Sequence, residues 1–194
     1  QIELRVLAHL STDKNMIEIL SSIDSDIHTE TASRIFNVSL ASVTKDMRRK
    51  AKEVNFGLIY GMESFGLSKS LDITKNEAQE LIDAYFSQFP KIKGFLDTIV
   101  SDAEKNGFTK TLYGRKRIIK ELGSSNFQLK AMGKRIAMNA PIQGTAADIM
   151  KIAMLKVESK ISDLKSTDLL LQIHDEIIVQ TPIANIEEVT NIIR

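Results

Sequence analysis

Apolar residues in this chain recur mostly at steps of three and four, the period of a helix with one buried face. Ile2–Leu10 and Met16–Leu20 give short helical patterns. Asp26 is placed to cap a helix over Ile27–Phe36, and Ser42 or Thr44 to open a long one reaching about Tyr60. Thr74 and Glu77 form a capping-box pair ahead of Ala78, Leu81, Ile82, Tyr85, Phe86 and Phe89. Those six residues fall on one helix face. Pro90 ends that run, and the same spacing restarts at Ile92, Phe95, Leu96, Ile99, Val100 and Ala103. Asn106-Gly107 then stops the second helix. The two read as an antiparallel or angled pair.

The period changes beyond this point. Phe108–Ile119 reads as a hairpin or loop with Tyr113-Gly114 at its turn. Ser124-Ser125-Asn126 opens a helical stretch to about Ile161, and Pro141 inside it predicts a kink or break near Asn139. Leu169–Ile173 and Ile177–Gln180 have the composition of buried strands, with His174-Asp175-Glu176 between them. Another helix begins near Ile186. The fold class is α+β and mainly helical, with a small antiparallel β element. No linker, repeat or low-complexity tract interrupts the chain.

Composition narrows the function. With 194 residues, 43% of them hydrophobic, the chain is long and apolar enough for a sizeable core and is not a disordered chain. No apolar run approaches the roughly 18 residues of a membrane span, and no signal peptide is visible. Zero cysteines exclude disulfides, zinc–thiolate sites and cysteine catalysis. The chain begins at Gln1 and is expected to be a piece of something longer. The net charge of +1 conceals an asymmetry. Residues 105–135 carry nine Lys/Arg against Glu121, and residues 45–53 carry five bases against two acids. Residues 1–30 hold two bases and six acids, and residues 148–194 five and eight. Two basic centres between acidic flanks suit a polyanionic partner, although solvated helix faces produce charge runs too.

Three constellations could carry chemistry. His174-Asp175-Glu176 puts two adjacent carboxylates at a strand junction. Such a pair suits a hard cation such as Mg²⁺, or else is a polar hairpin tip. Arg48, Lys52, Phe56 and Tyr60 recur every fourth residue and form a slowly turning stripe of two cations and two rings. Cations grip phosphates and rings stack on bases, whereas a half-buried helix with snorkelling cations would look similar. Gly57 and Gly61 on that segment imply a close approach, a bend or a helix end. Arg135, Asn139 and Gln143 also step by four, and their amides both donate and accept.

In order and spacing these constellations resemble the family A (polymerase I-like) DNA polymerases. Four stretches carry the resemblance: residues 1–11, Arg48–Gly61, Arg135–Asp148 and Gln172–Glu176. They look like the family's motif A, motif B, the helix ahead of motif C, and motif C. The resemblance implies fingers helices attached to part of an antiparallel palm sheet. Residues 1–25 would be partial palm with the motif A helix, 26–125 fingers with a basic loop, and 126–194 partial palm with a long helix and the motif C hairpin. It implies template-directed DNA synthesis, with nucleotidyl transfer from a dNTP to a primer 3′-hydroxyl assisted by two Mg²⁺ ions.

Residue by residue, Asp175 matches the metal-binding and catalytic carboxylate and Glu176 its acidic neighbour, also counted as catalytic. Arg48 and Lys52 match the cations that hold the triphosphate, with Lys52 counted among the catalytic residues. His28 matches a triphosphate contact, Phe56 the ring against the incoming sugar and base, and Tyr60 the ring near the templating position. Glu3 matches the group that fills the space of a ribose 2′-hydroxyl. Arg135, Asn139, Gln143 and His174 match residues near the primer end and minor groove, and Arg5 a supporting residue in the palm, counted with the DNA-binding residues.

The implied partners are primer-template DNA and dNTPs. Neither a membrane nor an oligomer is expected, and the implied location is the bacterial cytoplasm or, alternatively, an organelle. The family's other metal-binding Asp would lie three positions ahead of Gln1, and the thumb would also precede this chain. The isolated chain is therefore expected to be inactive or nearly so. A phage-type single-subunit RNA polymerase shares the Arg/Lys helix but must admit ribose, which Glu3 opposes. A catalytically dead nucleic-acid-binding module would not need Glu3 or Asp175. A purely structural helical protein would not need three polar stripes.

Overall fold

The computed structural model describes residues 2–22, 26–174 and 176–194. Among these are nine α-helices and two antiparallel sheets of two strands each. Two compact units divide the chain, Gln1–Thr145 and Ala146–Arg194. No helix among the described residues is long and apolar enough to cross a membrane.

The first unit opens with α1 (Ile2–Ser11) and α2 (Lys14–Ser21). Leu4 and Leu7 on α1 and Met16 on α2 are fully buried. Asp13 joins the start of α2 to a distant helix. One of its oxygens accepts from Met16 N at 3.1 Å, and the other from Lys91 N at 3.0 Å. Next comes α3 (Ile27–Phe36), capped by Asp26 and closed by Asn37 in the left-handed conformation. Helix α4 (Lys45–Ile59) follows, capped by Thr44, whose hydroxyl accepts from Met47 N. Its buried positions include Ala51, Val54, Asn55 and Leu58, at i, i+3, i+4 and i+7. This stripe faces α3.

Helix α5 (Ser64–Leu71) leads to α6 (Lys75–Gln88), which carries the complete Thr74/Glu77 capping box. Phe89 ends α6 and begins α7 (Pro90–Asn106), with Pro90 at the first helical position, where its missing N–H costs nothing. Tyr85 and Phe89 are fully buried, with ring centroids 4.9 Å apart. Burial, with Asp13 nearby, pushes the Tyr85 phenol well above its ordinary pKa. Gly107 closes α7 at φ 75°.

Strands β1 (Phe108–Lys110) and β2 (Lys116–Ile118) then form the expected hairpin, pairing Phe108 with Ile118 and Lys110 with Lys116. It is anchored to α8 (Phe127–Ile161) by Leu112 N, which donates to Thr145 Oγ1 at 3.0 Å, and by Arg115 Nη2, which donates to the Gly144 carbonyl at 2.9 Å. A small cluster of Ala103, Ile119, Leu122 and Ala137 fills the space between α7, the hairpin and α8. Asn126 caps α8 by accepting from Gln128 N and Leu129 N.

Of the kink or break expected near Asn139, the break is absent. Helix α8 runs unbroken through Pro141 for 35 residues. Proline removes one intrahelical donor, and the helical pattern continues on either side of it.

The second unit holds the end of α8, β3 (Asp168–Ile173), β4 (Glu176–Gln180) and α9 (Ile186–Ile193). The strands pair antiparallel, Ile173 opposite Glu176 and Asp168 opposite Gln180. The reading of these strands as buried is corrected. Leu170, Leu171, Ile173 and Ile178 are 51%, 46%, 48% and 40% exposed. Apolar composition reports the demand for burial, and a two-stranded ribbon cannot meet it on both faces.

Candidate active site

Helix α4 organises the site. Arg48, Lys52, Phe56 and Tyr60 run down one side of it, the two cations exposed and the two rings half-buried. At the upper end, Arg48 grips Asp26 with both arms of its guanidinium. Nε donates to Oδ2 at 2.5 Å and Nη2 to Oδ1 at 3.2 Å. Asp26 also accepts from His28 N at 3.2 Å and from Thr29 Oγ1 at 2.5 Å, so one carboxylate caps α3 and holds α4. Partial burial alone would raise the Asp26 pKa. The hydrogen bonds from Arg48, Thr29 and the His28 amide outweigh it and bring it down to about 2.

His28 sits between this ion pair and Phe56, its ring centroid 5.6 Å from the phenyl centroid. Its Nδ1 lies 3.2 Å from Asn55 Nδ2. Burial lowers the His28 pKa, and Arg48 and Lys52 push the same way against Asp26. The lowered pKa favours the neutral ring, beside two permanent cations.

Tyr60 marks the other end, as the cap that closes α4. Its hydroxyl donates to Glu3 Oε2 at 2.7 Å across 57 residues of sequence. Burial and the Glu3 carboxylate raise the phenol pKa, and a hydrogen bond with Gln143 opposes them. Glu3, Tyr60 and Gln143 thus meet. Gly61 follows at φ 68°. A Cβ there would stand 2.4 Å from Met138 Cε and 2.9 Å from Arg135 Cγ. The glycine lets the end of α4 touch α8 beside Arg135, which is the close approach and helix end expected of it.

The remaining candidates lie elsewhere. Arg5 donates from Nη1 to the Leu20 carbonyl at 2.8 Å, bracing α1 against α2. Asn139 lines a cleft of about 300 Å³ between the hairpin and α8, together with Thr111, Arg115, Lys116 and Arg117. Its Oδ1 is buried with no hydrogen-bond partner among the described residues. In the second unit, His174 is exposed at φ 52°, and its carbonyl accepts from Gln172 Nε2 at 2.6 Å. Glu176 is exposed at the head of β4. Asp175 lies outside the described residues, as does Gln1 of the first motif.

Two residues of the site went unnoticed in the sequence. Asp26 was legible as a cap but not as the partner of Arg48. Asn55 is fully buried, bound to His28 and to Thr31 Oγ1. Its signal was present: a polar side chain inside the apolar stripe of α4 needs a partner.

The family model for DNA polymerase family A matches residues 1–194. The chain belongs to that family. Curated DNA polymerase I proteins of Caldicellulosiruptor bescii and Geobacillus stearothermophilus are 46% and 45% identical to it over its whole length. The Bacillus subtilis DNA polymerase I is 47% identical over 96% of the chain. The chain spans only 23%, 22% and 21% of those three family A relatives. A solved structure titled as the POL domain of Pol1 from M. smegmatis, in complex with DNA primer-template and dNTP, superposes with a TM-score of 0.94. That match has 40% identity and covers all of this chain and 34% of that one.

Family A membership implies a divalent metal in general. Among the described residues no group of three or more His, Asp or Glu is gathered to hold one. Of Asp175 and Glu176, only Glu176 is described.

Proposed function

We propose that this chain carries the nucleotide-binding helix and the motif C turn of a template-directed DNA polymerase. In this reading 26–125 is the fingers part, and 1–25 and 126–194 belong to the palm. The reaction attaches the α-phosphorus of a dNTP to a primer 3′-hydroxyl and releases pyrophosphate. The observation that carries the reading is the single face on which α4 presents Arg48, Lys52 and Phe56 beside His28, ending at the Tyr60–Glu3 hydrogen bond.

Phosphoryl transfer depends on positioning and charge neutralisation. Lys52 and Arg48 supply two fixed cations for the triphosphate, and Arg48 reaches it by exchanging the Asp26 carboxylate for phosphate oxygens. His28 adds an N–H. Phe56 stacks against the sugar and base. Tyr60 fixes Glu3, whose carboxylate then occupies the volume that a 2′-hydroxyl would need. Arg135, Asn139 and Gln143 address the primer end and minor groove, and the partners are primer-template DNA and dNTPs, as in the M. smegmatis complex. The metal is proposed to be Mg²⁺, with Asp175 as its ligand in this chain, where it would neutralise phosphate charge.

The test is primer extension by a polymerase containing this chain. dNTPs should be incorporated and rNTPs should not, and Lys52→Ala should lower dNTP incorporation at least tenfold. Equal use of rNTPs would favour an RNA polymerase, and an unaffected Lys52→Ala would remove the triphosphate role of α4.

A further inference from the structure

We propose that Asn55 is a positioning residue for His28, donating an amide hydrogen bond to Nδ1 and so leaving the ring proton on Nε2. The proposal rests on the reading of His28 as a triphosphate contact.

Phosphate oxygens of a nucleotide accept hydrogen bonds and do not donate them. A histidine that serves them must present an N–H. The imidazolium form would have two, but burial, with Arg48 and Lys52 beside it, outweighs the opposing Asp26 carboxylate and disfavours that form. A neutral imidazole has only one N–H, so its position decides whether the ring helps or repels. The nitrogen opposite the phosphate must then be an acceptor and needs a donor of its own. An amide provides one, whereas a carboxylate or carbonyl at that point would draw the proton to the wrong nitrogen.

Asn55 is built for this task. It lies one residue before Phe56 and is fully buried. Both of its partners are on α3. Nδ2 reaches His28 Nδ1 at 3.2 Å and Thr31 Oγ1 at 3.1 Å, and the Thr31 hydroxyl donates to Oδ1 at 3.4 Å. Thr31 is itself fully buried. The α3–α4 contact is otherwise apolar at this level, with Ala32, Ala51, Val54 and Leu58 buried. An aliphatic residue would fill that space. The polar pair is explained if its purpose is to aim the imidazole.

The experiment is long-range ¹H–¹⁵N NMR of the histidine ring nitrogens in a ¹⁵N-labelled polymerase containing this chain, without nucleotide. The His28 signals are assigned by their loss in His28→Gln. The expected spectrum has an unprotonated, hydrogen-bonded Nδ1 and a protonated Nε2. In Asn55→Asp the carboxylate should accept from Nδ1 and reverse the tautomer. In Thr31→Val the amide loses its second anchor, and the ring should drift to a mixture. A protonated Nδ1 in the native chain, or a tautomer unchanged in both variants, would overturn the proposal. Addition of a dNTP should shift the Nε2–H signal, and Asn55→Asp should weaken dNTP binding on the order of tenfold, the cost of one charge-assisted hydrogen bond. If the tautomer results hold while dNTP leaves His28 unmoved, the triphosphate reading of His28 fails and the Asn55–His28 coupling stands.

Discussion

Two side chains at opposite ends of α4 make the sharpest residue-scale claims. Glu3 can exclude ribose only if it stays in place, and the Tyr60 hydroxyl holds it at 2.7 Å. Glu3→Ala should therefore relax rNTP exclusion strongly. Tyr60→Phe, which keeps the ring and loses the bond, should relax it less, and competitive dNTP/rNTP incorporation measures both. At the other end, the pKa of Asp26 is about 2 in the folded chain, against an ordinary value of 3.8. A depressed carboxylate pKa stabilises the fold above the unfolded value and loses that stabilisation as pH falls through the folded one. Urea denaturation should show this loss between about pH 4 and pH 2, reduced in Asp26→Asn. The pair is largely solvated, so its share is at most about 1 kcal/mol. The residues legible in the sequence were those at regular steps of four. Asp26 and Asn55 escaped because their functions depend on partners 22 and 27 residues away, on another helix.

At the scale of elements, local chemistry was readable and tertiary compensation was not. The caps at Asp26, Thr44 and Thr74 lie within three residues of the amides they satisfy, so the sequence contains the whole interaction. Pro141 does not break α8, whose helical pattern continues on either side of it, and the apolar strands β3 and β4 were a composition signal without a cover among the described residues. Cap removal should follow the same logic. Thr74→Ala should cost about 1 kcal/mol. Asp13→Ala should cost about 2 kcal/mol, because one buried carboxylate serves the amides of Met16 and Lys91 on two helices. Thermal or urea unfolding distinguishes the two. Gly61→Ala should destabilise by about 1–2 kcal/mol from its left-handed backbone alone, with the clash against Met138 added.

At the scale of the whole molecule, the family was legible because its residues are spread across the full chain in a fixed order. Charge gave much less, since the overall +1 averages basic and acidic stretches. The division into two compact units was not visible in the sequence, because the boundary at Thr145 falls inside one continuous helix. It has a measurable consequence. Amides in the exposed ribbon of β3 should exchange hydrogen far faster than those in the buried stretch of α4 from Ala51 to Ile59. The role proposed for this chain is in metal-dependent nucleotidyl transfer. The most direct test is primer extension with Mg²⁺ and dNTPs by a polymerase containing it, comparing the native sequence with Asp175→Ala. Extension should collapse in the variant while primer-template binding persists. Undiminished extension by Asp175→Ala would contradict that role.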